Sequence, residues 1–351
     1  MPPSQARRAL RGRARSALAA LPLERALRLL RRWPGVLVLN HHRIGDSRDG
    51  PWDPAMFSAT RQELDSHLAT LARLTHVIGP HELHRAVHAE PGRRVLLTFD
   101  DGYRDNHDLA LPLLAAHGLT ATFFLATGFL DQPRAPWWDE IAWIVRHAEH
   151  RPGGWGSAGT GAGGGIRPAG GGVPSAGGGP RPTGDAEDTV IAALVARHKA
   201  LPAGDGERFL DDLARDLGSG RCPAEDAAGL WMTWDDARRL RAAGMTVGGH
   251  TVSHPILARL SPERQREEIA GCATRLREEL GEEMPWFAYP VGAPDSFTAV
   301  TAGLLREAGV ELAFSYYGGF ARPRGWDPLD VPRVHVDAAL GARLLAQRYR
   351  P

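Results

Sequence analysis

Residues 95–102 read VLLTFDDG. Val95–Phe99 show no polar alternation, which predicts a strand covered on both faces, as in a parallel sheet. The strand ends in Asp100 and Asp101, and Gly102 follows. Two adjacent carboxylates at the end of a buried strand are costly unless positive charge offsets them. A bound cation does so most simply. A solvated Asp-Asp-Gly turn is the alternative that this stretch alone leaves open.

The same kind of strand recurs along the chain. VLVLN at 36–40, TATFFLAT at 120–127, MTVGGH at 245–250, WFAYP at 286–290, VELAFSY at 310–316 and VPRVHV at 331–336 read as strands. Between them, 56–74, 105–117, 137–148, 186–217, 234–243, 261–280 and 297–308 carry helical patterns. Thr233 with Asp236 resembles a capping box, with Asp in place of Glu, at the start of one of these helices. Strands alternating with helices imply βα units and a parallel sheet, open or closed into a barrel. Ligand-facing residues are then expected at the C-terminal ends of the strands.

Composition narrows the function classes. The 351 residues include 42 Lys+Arg against 41 Asp+Glu, a net charge of +1. Nucleic acid is not expected as a partner, because phosphate binding needs a clustered basic excess. Cys222 and Cys272 stand far apart and form neither a disulfide framework nor a zinc ribbon. No stretch of about 18 apolar residues predicts a transmembrane helix. Residues 5–32 read as a basic helix in which arginines interrupt every candidate signal core, so residues 1–33 are set apart from a catalytic domain over 34–351. That helix either packs on the domain or lies peripherally on an anionic membrane surface. A cytoplasmic location follows as the expectation, on the inner face of the membrane in the second case. Residues 151–184 are rich in Gly, Pro, Ser and Ala with few large apolar residues, and predict a disordered insertion.

Further polar residues stand at strand ends. MTVGGH ends in His250, and His254 follows four residues later in HTVSH. Two histidines and one carboxylate at the ends of parallel strands make a three-ligand site with open positions, the form of a catalytic zinc centre. Chance pairing among 15 histidines is the competing explanation for His250 and His254 taken alone. In VPRVH, Arg333 and His335 are two residues apart and share one face of the last strand. FAYPVG at 287–292 predicts a tight loop whose backbone N–H groups face a reacting oxygen or simply make a turn.

TFDDG at 98–102 and HTVSH at 250–254 together resemble the first two motifs of the NodB-homology polysaccharide deacetylases, carbohydrate esterase family 4. FAYPVG looks like that family's third motif, and HHRIGD at 41–46 resembles its first-strand histidine–arginine segment. The resemblance covers roughly residues 36–336 outside the insertion. It implies a deformed (β/α) barrel with fewer than eight regular strands. It implies that Asp101, His250 and His254 hold a divalent metal, usually Zn2+, and that Asp100 is the base. It implies an acetylated sugar or glycan as substrate, most often N-acetylated. An oxyanion would meet the metal and a backbone N–H of Val291, and Tyr289 is a further candidate for binding the substrate. His335 is the candidate acid, and Trp137 and Trp138 are candidates for stacking on sugar. One departure is specific. The arginine that often orients the base in the third motif is replaced by Ala288, and Arg333 is the residue expected to supply that charge. A non-sugar amidohydrolase, and a silent sugar-binding relative, are the competing readings.

Overall fold

The computed structural model describes residues 33–337 apart from 91, 151–185 and 203, together with Leu340. The helix expected over 5–32, the division at residue 33 and the insertion expected over 151–184 lie outside the described residues.

Ten strands are formed: β1 (Val36–His41), β2 (Arg43–Ile44), β3 (Phe57–Ala59), β4 (His76–Val77), β5 (Arg94–Phe99), β6 (Thr122–Leu125), β7 (Thr246–Gly249), β8 (Trp286–Ala288), β9 (Leu312–Phe314) and β10 (Val334–His335). Eight of them make one parallel sheet in the order β10-β1-β5-β6-β7-β8-β9, with β4 added on β5. The residues before β10 join its two ends. Val331 bridges Phe314 of β9 in parallel, and three residues later the chain pairs with β1, Leu39 opposite Val334 and Asn40 opposite His335. The curled sheet is thereby the deformed barrel expected. Its short strands explain why the expected bounds ran long: at β6, β8 and β9 only three or four residues pair on each.

Strand periodicity separates the two faces of the sheet. Val36 and Val38 of β1, Leu96 of β5, Phe124, Ala288 and Phe314 share one apolar cluster with Leu83, Ala86 and Val87 of the helix Pro80–His88. Leu37, Leu39, Leu97, Phe99 and Phe123 belong to the larger cluster with the surrounding helices, such as Leu64, Leu68 and Leu71 of Arg61–Leu74. By the same alternation, Asn40, Thr98 and Asp100 continue the first face where the strands end. The polar cluster of the barrel mouth is therefore a direct extension of its apolar interior.

The sequence-based helices are present with shorter ends, and 186–217 divides into Ala186–Lys199 and Gly206–Leu217. The box at Thr233 and Asp236 forms as expected. The β2–β3 pair, β4 and the helix Pro80–His88 were not foreseen. The strands are too short to show a period. The stretch around the helix carries three histidines, His81, His84 and His88, which break up its apolar pattern.

Candidate metal and catalytic centre

Asp101 lies at the centre of the mouth. Its Oδ1 is 3.3 Å from His250 Nε2 and 3.4 Å from His254 Nε2. The three residues are buried, and they are the described group whose ligand atoms converge as a metal site requires. Neither Asp101 oxygen has an aligned hydrogen-bond donor. A buried carboxylate facing two ring nitrogens without hydrogen-bond alignment fits three donors that share a fourth centre between them. The charge count agrees: Asp100 and Asp101 are buried with Arg333 as their one buried guanidinium. The second negative charge is left for the facing imidazoles or a bound cation to meet. The donor set, two imidazoles and a carboxylate, suits a divalent transition metal with open positions.

The two histidines are prepared differently. His250 Nδ1 pairs with Ala288 O at 2.7 Å, which fixes the tautomer that turns Nε2 inward. Burial lowers the His250 imidazole, but Asp100 and Asp101 outweigh it and raise the group above its ordinary value. His254 Nδ1 is buried and has no partner among the described residues. Burial pushes its imidazole down to about 3 in spite of Asp101, leaving it neutral and able to donate a lone pair.

Backbone conformation singles out the same loops. The described non-glycine residues with positive φ are Asp101 (76°), Thr251 (67°), His254 (58°) and Val291 (63°). Each costs roughly 1–3 kcal/mol and persists only where its surroundings hold it. All four fall in the three motif loops.

Asp100 is pinned from the opposite side. Arg333 Nη1 donates to Asp100 Oδ1 at 2.7 Å and to Asn40 Oδ1 at 2.9 Å, and Asn40 Nδ2 donates to Asp100 Oδ2 at 3.0 Å. Arg333 Nε is fixed by Ser315 O at 3.0 Å, and Thr98 Oγ1 donates to Asn40 Oδ1 at 2.8 Å. Burial raises the Asp100 carboxyl, but Arg333, His250 and His42 more than offset it and hold the group below the ordinary carboxylate range. Asp100 Oδ2 remains 4.0 Å from both His250 Nε2 and His42 Nε2.

The other expected residues divide. His335 Nδ1 pairs with Tyr316 Oη, whose ring stands edge-on to His42 at 5.6 Å between centroids. Val291 sits in the loop after β8. Tyr289 is buried, donates its hydroxyl to Leu329 O at 2.7 Å and stacks on Phe297. Its ring is part of the core and offers no substrate face, against the expectation. The stacking role expected of Trp138 is corrected likewise. Trp138 is buried, its Nε1 donates to Tyr103 Oη at 2.8 Å, and its ring packs edge-on against His254. Half-buried Trp137 stacks on His198, so one of its faces is already covered. Tyr103 Oη in turn donates to buried Asp139 Oδ2 at 2.8 Å.

Sequence reading missed Asn40, His42, Ser315 and Asp139. A lone Asn after an apolar run carries no signal. The doubled histidine of HHRIGD was the one available cue for His42.

Comparison with known proteins bears on the family and the fold. The family described as polysaccharide deacetylase matches residues 88–151 and 208–313. An uncharacterised protein of Streptomyces coelicolor is 32% identical over 126 residues, 33% of this chain. The match spans about half of that relative, 49% of its length. Among solved structures, the deacetylase PplD of Streptococcus pyogenes, in complex with acetate, superposes with a TM-score of 0.55 at 17% identity, over 90% of this chain and 99% of that one. IcaB from Ammonifex degensii gives 0.54 at 20% identity, over 90% and 97%. At these identities the two structures bear on the fold.

Proposed function

The chain belongs to the polysaccharide deacetylase family, and from there we propose that it is a metal-dependent hydrolase removing an acetyl group, most often N-linked, from a carbohydrate. The observation that carries this is Asp101, buried without an aligned donor between two imidazole nitrogens, beside a second carboxylate held in place by an arginine.

Asp101, His250 and His254 would hold the cation, with Zn2+ the best fit to the donors. When bound it supplies Lewis acidity toward the acetyl oxygen and a water whose pKa falls towards about 7. Asp100 takes the proton of the attacking water at Oδ2, the oxygen that faces His250 and His42. Arg333 and Asn40 fix the direction of that carboxylate and keep it ionised. The Val291 N–H is the proposed donor to the developing oxyanion. The amine that leaves needs a proton, which we assign to His335, oriented by Tyr316. His42 is a second candidate because it approaches Asp100 more directly.

Acetate release from a panel of N- and O-acetylated sugars, with and without chelator, tests the reading. Release from none of them would refute it, and release from non-sugar amides alone would favour an amidohydrolase. The acid is assigned by comparing His335→Ala and His42→Ala on an amide and on an activated aryl ester, whose leaving group needs no proton. The acid's variant should lose activity on the amide by about 10²–10⁴-fold and far less on the ester. A silent sugar-binding relative had been suggested by the absent third-motif arginine, and Arg333 at 2.7 Å from Asp100 removes that support. A cytoplasmic location, with peripheral contact to the inner face of a membrane as its variant, remains part of the proposal; among the described residues no helix is long and apolar enough to cross a membrane.

A further inference from the structure

His250 and His254 are four residues apart, yet only His250 is anchored by a hydrogen bond on its ring. Its Nδ1 has Ala288 O, whereas His254 Nδ1 has no partner among the described residues. With no hydrogen bond on its ring, His254 is placed by edge-on packing against Trp138 and by its backbone. That backbone is left-handed at Thr251 and again at His254 itself. Something outside the loop must hold it.

One side chain supplies three of the bonds that do so. Glu268, on the helix Pro262–Leu280, is buried behind the loop. Its Oε2 accepts from Val252 N at 2.9 Å and from Ser253 N at 2.8 Å, and its Oε1 accepts from Ser253 Oγ at 2.6 Å. Three donors on two consecutive residues of the loop thus converge on one carboxylate. Other ties among the described residues are Gly128 N to Val252 O at 2.8 Å, Thr127 N to Thr251 O at 3.1 Å, His254 N to Thr251 Oγ1 at 3.0 Å and Thr251 Oγ1 to His250 O. Those carry no charge. Hydrogen bonds to an ionised acceptor are roughly twice as strong as neutral ones.

We propose that Glu268 is the positioning residue of the metal site, holding the Val252–Ser253 turn so that His254 is presented to the cation without an anchor of its own. It touches neither substrate nor metal ligand atoms. The inference rests on the metal reading above, since it concerns how one ligand of that site is held. Outer-shell partners of metal ligands typically govern affinity by 10–100-fold, and Glu268 fills that place for His254 through the main chain.

The test uses the full-length chain and Co2+ or Zn2+ affinity measured by chelator competition, with circular dichroism to verify folding of each metal-free variant. Wild type binding no metal would defeat the metal reading itself. With wild type binding, Glu268→Ala should fold and bind about 10–100-fold more weakly. Glu268→Gln, which keeps the shape and an acceptor for Val252 N and Ser253 N but loses the charge, should recover part of the affinity. Folded Glu268→Ala with wild-type affinity would overturn the proposal. So would equal losses in Ala and Gln, which would point to charge rather than positioning. If Glu268→Ala does not fold, Ser253→Ala decides. It removes one of the three bonds from a half-buried position, and weakened metal binding with an unchanged fold supports the inference, whereas unchanged binding overturns it.

Discussion

Arg333 is the residue on which the chemistry of Asp100 turns. A buried carboxylate beside a guanidinium is held ionised by about 1–3 pKa units relative to the unpaired group. Removing the guanidinium reverses the balance that Arg333, with His250 and His42, strikes against burial. Arg333→Met should therefore move the acidic limb of the kcat/KM profile to higher pH by about one unit or more, and stability should fall by about 3–5 kcal/mol because a buried charge loses its partner. A limb in the wild-type position would return Arg333 to a purely structural role. Asp139 behaves in the opposite sense. Burial pushes its carboxyl up to about 7 despite Arg43 and the bonds from Asp53 N and Tyr103. A folded value above the unfolded one favours folding most in acid, and the contribution is lost as pH rises through about 7. Asp139→Asn should then narrow the difference in unfolding free energy between pH 5 and pH 8 by about 2–3 kcal/mol. An unchanged difference by urea denaturation would show that Asp139 does not titrate there. At this scale the sequence was informative where residues were adjacent or shared a motif, as with Asp100, Asp101, His250 and His254. Arg333 was reached by strand periodicity and by a gap at Ala288. Asn40 and Glu268 were not legible, because their roles arise from register and from a helix packed behind a loop. Trp138 was misread because a tryptophan near a site looks the same in sequence whether it faces a ligand or supports one.

Among the elements, β7 is the one whose geometry the site depends on most closely. Gly248 and Gly249 immediately precede His250. A Cβ at Gly248 would lie 2.7 Å from Trp286 O of β8 and 2.7 Å from the Phe124 ring of β6. A Cβ at Gly249 would lie 2.2 Å from Met284 Sδ. The backbone oxygen cannot move aside cheaply, so Gly248→Ala must displace β7 itself. It is expected to cost about 1–3 kcal/mol and to weaken metal binding through the shifted His250. Stability and metal affinity both equal to wild type would refute this dependence. The element pattern was well foreshadowed, since helices with capping signals and apolar stripes read clearly. Strand lengths were not. The apolar runs continue past the last paired residue because loops at the mouth are also buried.

For the whole molecule, closure of the barrel is what assembles the site. The segment from Val331 to His335 passes from β9 to β1 and delivers Arg333 to Asp100, 233 positions earlier in the chain. A parallel βα succession implied such a meeting at the strand ends, but not which strands would be neighbours. That information lies in long-range pairing, which local pattern does not encode. The family and the barrel were recognisable because two short motifs occupy fixed places in this succession, even though much of the chain lies outside the match.

The proposed mechanism requires one cation held by Asp101, His250 and His254 while Asp100 stays free to move a proton. Metal per chain, measured by mass spectrometry on the purified Asp101→Asn and Asp100→Asn variants beside wild type, tests it most directly. The expected result is about one equivalent in wild type and in Asp100→Asn, with little or none in Asp101→Asn. A full equivalent retained by folded Asp101→Asn would contradict the account.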